Sequence, residues 1–314
     1  MARLLTLLLA ISSVTPALAF TADRVGFAVR VRDEVSSYRV LGVFVLPEDV
    51  VEIEVLGASE ALGGYRLEAA TGIVQAIRPG RWAWRAPAEN GLHPLKIVNA
   101  VSREAMTLNV FVIIPYQTLD GENLRGYHIG TYPHRPLRGL SVYLPPPGFV
   151  EVTPENRLVP VSPHFTLGQF VCKQAGGYPK YVFLRERLLL KLELLLERIN
   201  AKGYAAETFH VMSGYRTPAY NTAIGNVKYS RHIYGDAVDI FIDEQPRDGM
   251  MDDLNRDGVI DSSDAAILRD SVEEMCGHSW YEPFIGGLAS YKEKPHRGPF
   301  VHLDTRGFRA RWNR

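Results

Sequence analysis

The sequence predicts two domains of different class, an all-β domain followed by an α+β domain. Between residues 21 and 115, short apolar runs alternate with turn residues such as Pro47, Gly57 and Asn90-Gly91, which is typical of antiparallel β structure. The C-terminal half instead combines an apolar stripe at helical spacing with two strand-like alternating patterns. A chain of 314 residues is long enough to bury two cores of this kind.

Residues 1–19 have the pattern of a secretory signal peptide. Arg3 supplies a positive charge, an apolar run covers residues 4–11, and Ala17-Leu18-Ala19 is a small-residue cleavage site. We therefore expect an exported protein that begins at Phe20 after processing. The apolar run is too short to cross a bilayer, and no other stretch approaches the required length, so no membrane span is expected in the mature form.

The charge balance argues against two classes of partner. The chain has 35 Lys and Arg residues and 35 Asp and Glu residues, and it contains no basic run. A neutral chain of this kind is not expected to have nucleic acid or an anionic membrane as its main partner.

Cys172 and Cys276 are the two cysteines of the sequence. Export would permit a disulfide between them. Two buried free thiols are the ordinary alternative, and the sequence leaves both possibilities open.

Residues 20–115 are predicted to form a small immunoglobulin-like sandwich. Nothing in this region has a catalytic pattern, so a binding or positioning module and a plain stabilising spacer are both compatible with it. The predicted strands are 25–31, 38–46, 50–56, 82–85, 95–99 and 106–114.

Residues 116–160 are rich in Pro, Gly and Tyr, including Pro145-Pro146-Pro147-Gly148. Such a composition does not build a core of its own, so we expect a linker that packs over its neighbours. Its aromatic residues either anchor the linker or line a groove.

The α+β domain is predicted to cover residues 161–314, with a small antiparallel sheet and flanking helices. A helix is expected over residues 183–199, and a strand at 209–213 should deliver Tyr215 and Arg216 to the rim of a site. The helical stripe is core, and it consists of Leu188, Leu192, Leu195 and Ile199.

Two strand patterns in this domain carry metal-ligand residues. In residues 237–242, Asp239 lies on the face opposite Val238, and in residues 300–304 His302 shares one face with Phe300 and Asp304. A buried carboxylate beside a buried imidazole is costly unless something neutralises it.

With His232, seven positions before Asp239, these residues supply two nitrogens and one oxygen. That mixed set is typical of open catalytic zinc sites, in which water takes a fourth position. Unrelated polar residues at strand ends are the alternative interpretation.

Three motifs in register then suggest a family. Ser213-Gly214-Tyr215-Arg216-Thr217, Ser-x-His-x-x-Gly-x-Ala-x-Asp at 230–239 and Phe-Val-His-x-Asp at 300–304 resemble the D-alanyl-D-alanine metallopeptidases. These are zinc peptidoglycan peptidases that share their zinc site with lysostaphin-type endopeptidases and the hedgehog signalling domain. The resemblance covers roughly residues 160 to 312.

The resemblance implies a role for each matching residue. His232, Asp239 and His302 would bind zinc, and Arg216 would hold the carbonyl or carboxylate of the substrate, a task that suits a planar, permanently charged fork. Tyr215 and Ser230 would contact the substrate beside it.

The general base does not follow from the motifs. Many relatives place Glu or His two or three residues before the last ligand, where this chain has Phe300 and Pro299. Asp304 and His296 are the candidates, and an orienting role behind His302 is the alternative for Asp304.

Residues 253–264 have the pattern of an EF-hand-type calcium loop. Gly258 occupies the position of the sharp turn, and Val259 supplies a carbonyl next to it. The loop ends in Asp264 and resembles dockerin loops, but dockerins carry two of them. A structural calcium ion in an insertion at 250–275 is therefore expected, and a solvated Asp-rich turn is the alternative. The predicted ligands are Asp253, Asn255, Asp257, Val259, Asp261 and Asp264.

The substrate class implied by the resemblance is peptidoglycan peptide, hydrolysed in the periplasm or cell wall. An endopeptidase is favoured over a D,D- or L,D-carboxypeptidase, because the ending at 300–304 is more similar to the murein endopeptidase branch. The alternative is a cell-wall or protein-binding module with a structural, hedgehog-like zinc site, which the absent upstream base favours.

Overall fold

The structure is a computed structural model that describes residues 20–58 and 64–313. The predicted signal peptide at residues 1–19 lies outside this part of the chain. Among the helices of these two ranges, none combines the length and the apolar composition that a bilayer crossing requires.

The N-terminal region is built from two sheets. One has five strands in the order β2-β1-β4-β7-β6, and the other has four in the order β3-β9-β8-β5. Alternate side chains of both sheets, such as Val29, Ile53 and Leu108, enter one apolar core. The strands are β1 (Arg24–Val31), β2 (Glu34–Tyr38), β3 (Val40–Val45), β4 (Val50–Val55), β5 (Tyr65–Ala69), β6 (Ile73–Arg78), β7 (Arg81–Arg85), β8 (Gly91–Asn99) and β9 (Ala105–Val112).

Some of these strands differ from the predicted ones. The predicted strand 38–46 corresponds to β3 and includes only the last residue of β2, because the chain leaves the first sheet at Tyr38 and enters the second at Val40. Most of β2, all of β5 and all of β6 were not predicted as strands, and the six residues of β6 are exposed, so that strand has no buried face. The immunoglobulin-like character of this region stays a prediction.

The segment 116–160 contributes to the core of the C-terminal domain. Tyr132, Tyr143 and Phe149 are buried together with the apolar face of the first long helix. Strand β13 within the segment pairs with β10 and β16, so backbone hydrogen bonds also attach it to both flanks. Its strands are β11 (Asn123–Leu124), β12 (Tyr127–His128) and β13 (Gly148–Val152), and the flanking strands are β10 (Ile114–Pro115) and β16 (Lys180–Val182).

The C-terminal domain has a five-stranded sheet in the order β17-β18-β20-β19-β21. Helix α1 buries the predicted stripe of Leu188, Leu192, Leu195 and Ile199. The elements are β14 (Pro160–Ser162), β15 (Phe165–Thr166), α1 (Glu186–Ala201), β17 (His210–Ser213), α2 (Pro218–Ala223), β18 (Ala237–Phe241), α3 (Ser262–Met275), β19 (Gly287–Tyr291), β20 (Phe300–Asp304) and β21 (Ala310–Asn313).

Helix α1 also joins the two regions. Leu190 is buried in the core of the N-terminal sheets, whereas its neighbour Lys191 is buried against the C-terminal domain, where it contacts Phe284 and Asp304. The Glu186 carboxylate accepts a hydrogen bond from the backbone N–H of Phe44 at 3.0 Å. The helix therefore has one face in each core.

The two cysteines are unpaired. Cys172 is buried and Cys276 is half-buried, and neither forms a disulfide. The structure therefore has the free thiols that were one of the two open possibilities.

Candidate metal centre

The three predicted zinc ligands meet at one point of the sheet. Asp239 on β18 lies directly opposite His302 on β20 in the antiparallel register. His232 reaches them from a short 3₁₀ helix, Arg231–Tyr234, which ends at Gly235 with φ of 73°. A Cβ at that position would lie 2.4 Å from the carbonyl oxygen of Phe183, so the turn that delivers His232 requires glycine.

The ligand atoms form a compact triangle. Oδ1 of Asp239 lies 2.8 Å from Nδ1 of His302 and 3.2 Å from Nε2 of His232, and these two nitrogens are 3.2 Å apart. Zinc binds such atoms at about 2.0–2.2 Å in tetrahedral geometry, which places its ligand atoms about 3.3 Å from one another. The triangle therefore has the size of one face of a zinc coordination shell. Within the described residues, it is the one cluster of three or more His, Cys, Asp or Glu side chains with this spacing.

The outer nitrogens of both imidazoles are already used. Nδ1 of His232 lies 2.7 Å from the carbonyl oxygen of Gly214, and Nε2 of His302 lies 3.2 Å from Oδ2 of Asp304. With the ring protons assigned to the nitrogens that face those oxygens, Nε2 of His232 and Nδ1 of His302 are the acceptor nitrogens that face Asp239. Three converging lone pairs repel one another unless a cation lies among them, so the chemistry of this donor set fits a divalent metal.

Asp304 lies behind His302 and away from the triangle. Besides His302, its carboxylate accepts the backbone N–H of Gly287 at 2.7 Å and Nε of Arg306 at 2.9 Å. A Cβ on Gly286 would lie 1.9 Å from the carbonyl oxygen of Asp304, so a larger residue does not fit there. These contacts are those of a group that positions His302 rather than one that touches substrate.

The pKa values of the buried acids and bases follow from these contacts. Burial lowers the pKa of His232, which favours the neutral imidazole that binds metals. Burial acts against ionisation of Asp304 too, but the hydrogen bonds from His302 and Arg306 outweigh it and hold the pKa of that carboxyl well below its usual range. Asp304 is therefore a carboxylate at neutral pH.

Lys191 lies below the same strand end. Its Nζ donates to the backbone carbonyls of Asp304 at 2.8 Å and Phe284 at 3.0 Å. Burial lowers the pKa of Lys191 to about 8. The helix thus supports the end of β20 from the core side.

Arg216 binds the ligand carboxylate from the other side. It donates from Nη2 to Oδ2 of Asp239 at 2.6 Å and from Nε to Oγ of Ser213 at 2.8 Å. The predicted substrate-binding arginine is thus held against the metal centre, at the edge of an open cleft.

The triangle opens into a cleft of about 390 Å³. The predicted residues Arg216 and Ser230 both line it. Other strands and loops also line the cleft, although the sequence interpretation did not connect them with the site. The residues that they place in the cleft include Tyr229, Tyr291, Arg297, Phe300, Arg306 and Trp312.

Two predicted site residues lie elsewhere. Tyr215 is buried, and its hydroxyl is hydrogen-bonded to that of Tyr132 at 2.9 Å, so it packs in the core instead of at the rim. His296 is exposed at the tip of a turn closed by backbone hydrogen bonds between Lys294 and Arg297, and it does not line the cleft. The geometry therefore gives no support to the predicted substrate contact of Tyr215 or to the predicted base role of His296.

The cleft residues missed by sequence interpretation come from strand pairing. Tyr291 lies opposite Phe300 in the β19–β20 ladder, and Trp312 on β21 has its ring centre 5.2 Å from that of His302. The alternation in residues 300–304 places Phe300 on the face of His302. The residues beside this face come from neighbouring strands, and no short motif encodes the order of the strands in a sheet. Tyr291 and Trp312 could therefore not be predicted as cleft residues.

The predicted calcium loop folds around its own carboxylates. Asp253 accepts hydrogen bonds from the backbone N–H groups of Asp257 at 3.2 Å and Gly258 at 2.8 Å. Asp264 is buried and accepts the N–H of Leu254 at 2.8 Å. Gly258 has φ of 88°, as the sharp turn of the pattern requires.

An open centre of two imidazoles and one carboxylate is typical of zinc hydrolases. Residues 163–262, about a third of the chain, match the model of the family Peptidase M15. The match covers the first two motifs, with Arg216, His232 and Asp239, and supports the relation to zinc metallopeptidases, whereas the third motif at 300–304 lies outside it. No curated protein matches the chain.

Proposed function

We propose that this chain is an exported, zinc-dependent peptidase that hydrolyses stem or cross-link peptide bonds of peptidoglycan involving D-amino acids. The observation that carries the proposal is the triangle of His232, Asp239 and His302, which lies at the base of an open cleft. The match to Peptidase M15 supports the same chemistry.

Each residue of the site would have a separate role in the reaction. The three ligands would hold the ion, and Asp304 would fix the ring of His302. A bound zinc ion supplies a water of lowered pKa and polarises the scissile carbonyl. Arg216, anchored by Ser213 and Asp239, would bind the substrate carbonyl or carboxylate beside the centre, and Ser230 would contact the substrate at the cleft wall.

We favour an endopeptidase over a carboxypeptidase. The support is the sequence at 300–304, whose Phe-Val-His-x-Asp ending is more similar to the murein endopeptidase branch. The substrate would be a peptide of the cell wall, met in the periplasm or at the wall itself.

Hydrolysis of purified muropeptides tests the proposal. The zinc-loaded protein, the same protein after chelation, and the chelated protein after zinc is returned are compared, and mass spectrometry identifies the bond that is cut. We expect turnover that is lost on chelation and restored by zinc. Absence of turnover by the zinc-loaded protein on cross-linked, tetrapeptide and pentapeptide substrates would reject it.

A non-catalytic module with a structural zinc site is the second candidate. One observation favours it, since the described residues that line the cleft include no Glu and no Asp or His other than the three ligands. Such a protein would bind peptidoglycan in a sedimentation assay and leave muropeptides intact. His232→Ala would then change the stability of the protein without changing any product.

We also propose that the loop 253–264 binds one structural calcium ion. The support is the pattern of oxygen-bearing residues around Gly258 and the continuation of the loop into the first turn of α3, for which Asp261 provides the N-terminal cap. The ion would fix the start of that helix.

A further inference from the structure

The arginines of the cleft are not equivalent. Arg216 pairs with Asp239, Arg231 pairs with Asp236, and Arg306 pairs with Asp304. In the described part of the chain, no carboxylate pairs with the fourth, Arg297. Arg297 is therefore the cleft arginine without a carboxylate partner at salt-bridge distance among the described residues.

Arg297 is nevertheless held in place. Its guanidinium carbon lies 4.4 Å from the centre of the Phe300 ring, and its Nη2 donates to the carbonyl oxygen of Lys292 at 3.0 Å. The backbone hydrogen bonds between Lys294 and Arg297 close the turn that carries it. Its Nε is buried and has no hydrogen-bond partner among the described atoms.

A guanidinium that is held in place, has unused hydrogen-bond donors and lines the same cleft as the three ligands is suited to bind an anion. Its planar fork matches a carboxylate with two parallel hydrogen bonds, and stacking on an aromatic ring limits the freedom that binding would have to remove. Burial lowers the pKa of Arg297, and the charge of Asp239 acts in the opposite direction.

We propose that Arg297 binds a carboxylate of the peptide substrate. This inference rests on the proposed function and names a recognition element for it. The same chemistry has two sources in such a peptide, the free C-terminal carboxylate and a carboxylate along the chain. A terminal carboxylate in this place would put the scissile bond near the end of the peptide.

Peptide binding and hydrolysis by the zinc-loaded protein test the inference. The probes are a muropeptide with a free C-terminal carboxylate and the same muropeptide with a C-terminal amide. The variants are Arg297→Gln, which removes the charge, Arg297→Lys, which keeps it without the fork, and Arg309→Gln as a matched control on the exposed surface away from the cleft. Binding is measured by calorimetry, and KM and kcat are measured separately.

We expect Arg297→Gln to weaken binding and raise KM by about ten- to a hundredfold with a smaller change in kcat, because hydrogen bonds to a charged partner are lost. Arg297→Lys should restore part of the affinity, and Arg309→Gln should equal the wild type. Weaker binding of the amide by the wild type, with no such difference in Arg297→Gln, assigns the terminal carboxylate. Equal binding of both peptides, with an equal loss in Arg297→Gln, assigns an internal one.

Wild-type affinity and KM in Arg297→Gln for both peptides would overturn the inference. If the wild type hydrolyses the peptides in that case, the proposed function stands without it. Carboxylate-dependent binding through Arg297 without any hydrolysis would instead support the inference and reject the peptidase.

Discussion

At the scale of single residues, the metal centre makes the most direct prediction. His232→Ala removes one of three protein ligands, so the variant should lose its bound zinc. Elemental analysis after dialysis measures the metal content. His210→Ala is the matched control, because His210 lies on the neighbouring strand, pairs with Asp243 and is not part of the triangle. One equivalent of zinc retained in His232→Ala would reject the ligand assignment.

The variant Asp304→Asn distinguishes two possible roles of Asp304, which are positioning of His302 and general-base catalysis. Because Asp304 contacts the outer nitrogen of His302, the variant should bind zinc about ten- to a hundredfold more weakly. Zinc titration in a competing chelator measures the affinity, and kinetics at saturating zinc measure turnover. A drop in turnover of about a hundredfold or more at unchanged zinc affinity would instead point to base catalysis.

The pair His164–Glu193 predicts a pH dependence of stability. Burial lowers the pKa of His164, but the hydrogen bond and charge of Glu193, 2.7 Å away, outweigh it, and the folded-state pKa is raised. The folded state therefore holds the proton more tightly than the unfolded state. This stabilisation is complete below the unfolded pKa of about 6.5 and is lost as the pH rises through the folded pKa.

His164→Gln should accordingly lower the free energy of unfolding more at about pH 5.5 than at about pH 8.5. Urea unfolding of wild type and variant at the two pH values provides the comparison. An equal difference at both pH values would contradict a proton held between His164 and Glu193.

The residues of the site differ in how far the sequence could predict them. His232, Asp239 and His302 could be predicted, because ligand chemistry limits the residue types and the alternation of a strand fixes which side chains share a face. Tyr215 could not be placed, since the direction of a side chain just after a strand depends on which element packs against it. The sequence interpretation chose His296, but Arg297 is the residue that lines the cleft. The closing of one turn decides which of these two side chains faces the cleft.

At the scale of elements, the loop 253–264 predicts a response to calcium. By mass action, an ion that binds only the folded loop should raise the melting temperature of the protein. Asp257→Ala should abolish that rise and leave zinc content near normal. Asp270→Ala is a control, since Asp270 is an exposed carboxylate on the following helix outside the loop. An equal calcium response in wild type and Asp257→Ala would mean that the segment is only a turn.

Helix α1 and strand β18 were predictable from the sequence, and strand β6 was not. The stripe of α1 and the alternation of β18 are encoded by residues three, four or two positions apart. β6 has no buried side chain, so its position depends on its ladder with β7 alone. The continuous run 38–46 contains no signal for the change of sheet at Arg39, which is set by backbone hydrogen bonds to Asp23 and Thr107.

At the scale of the whole molecule, Leu190 tests whether the two regions stabilise each other. It is buried in the core of the N-terminal sheets although it belongs to α1. Leu190→Ala should lower the free energy of unfolding of the intact chain by about 2–5 kcal/mol. Leu194→Ala, one turn further along the same helix and only partly buried, should cost less. Chemical unfolding measures both, and equal losses would contradict a shared core.

Leu190 and Lys191 are adjacent on α1 and contact different regions of the protein. These two contacts limit insertions and deletions within α1. Consecutive residues of an α-helix point about 100° apart, so inserting or deleting one residue early in α1 would turn Lys191 away from the end of β20 or Leu190 away from the N-terminal sheets. Either change would remove a contact on one side of the helix. We therefore expect length differences among related chains to fall in the connections before and after α1, and α1 itself to keep a constant number of residues.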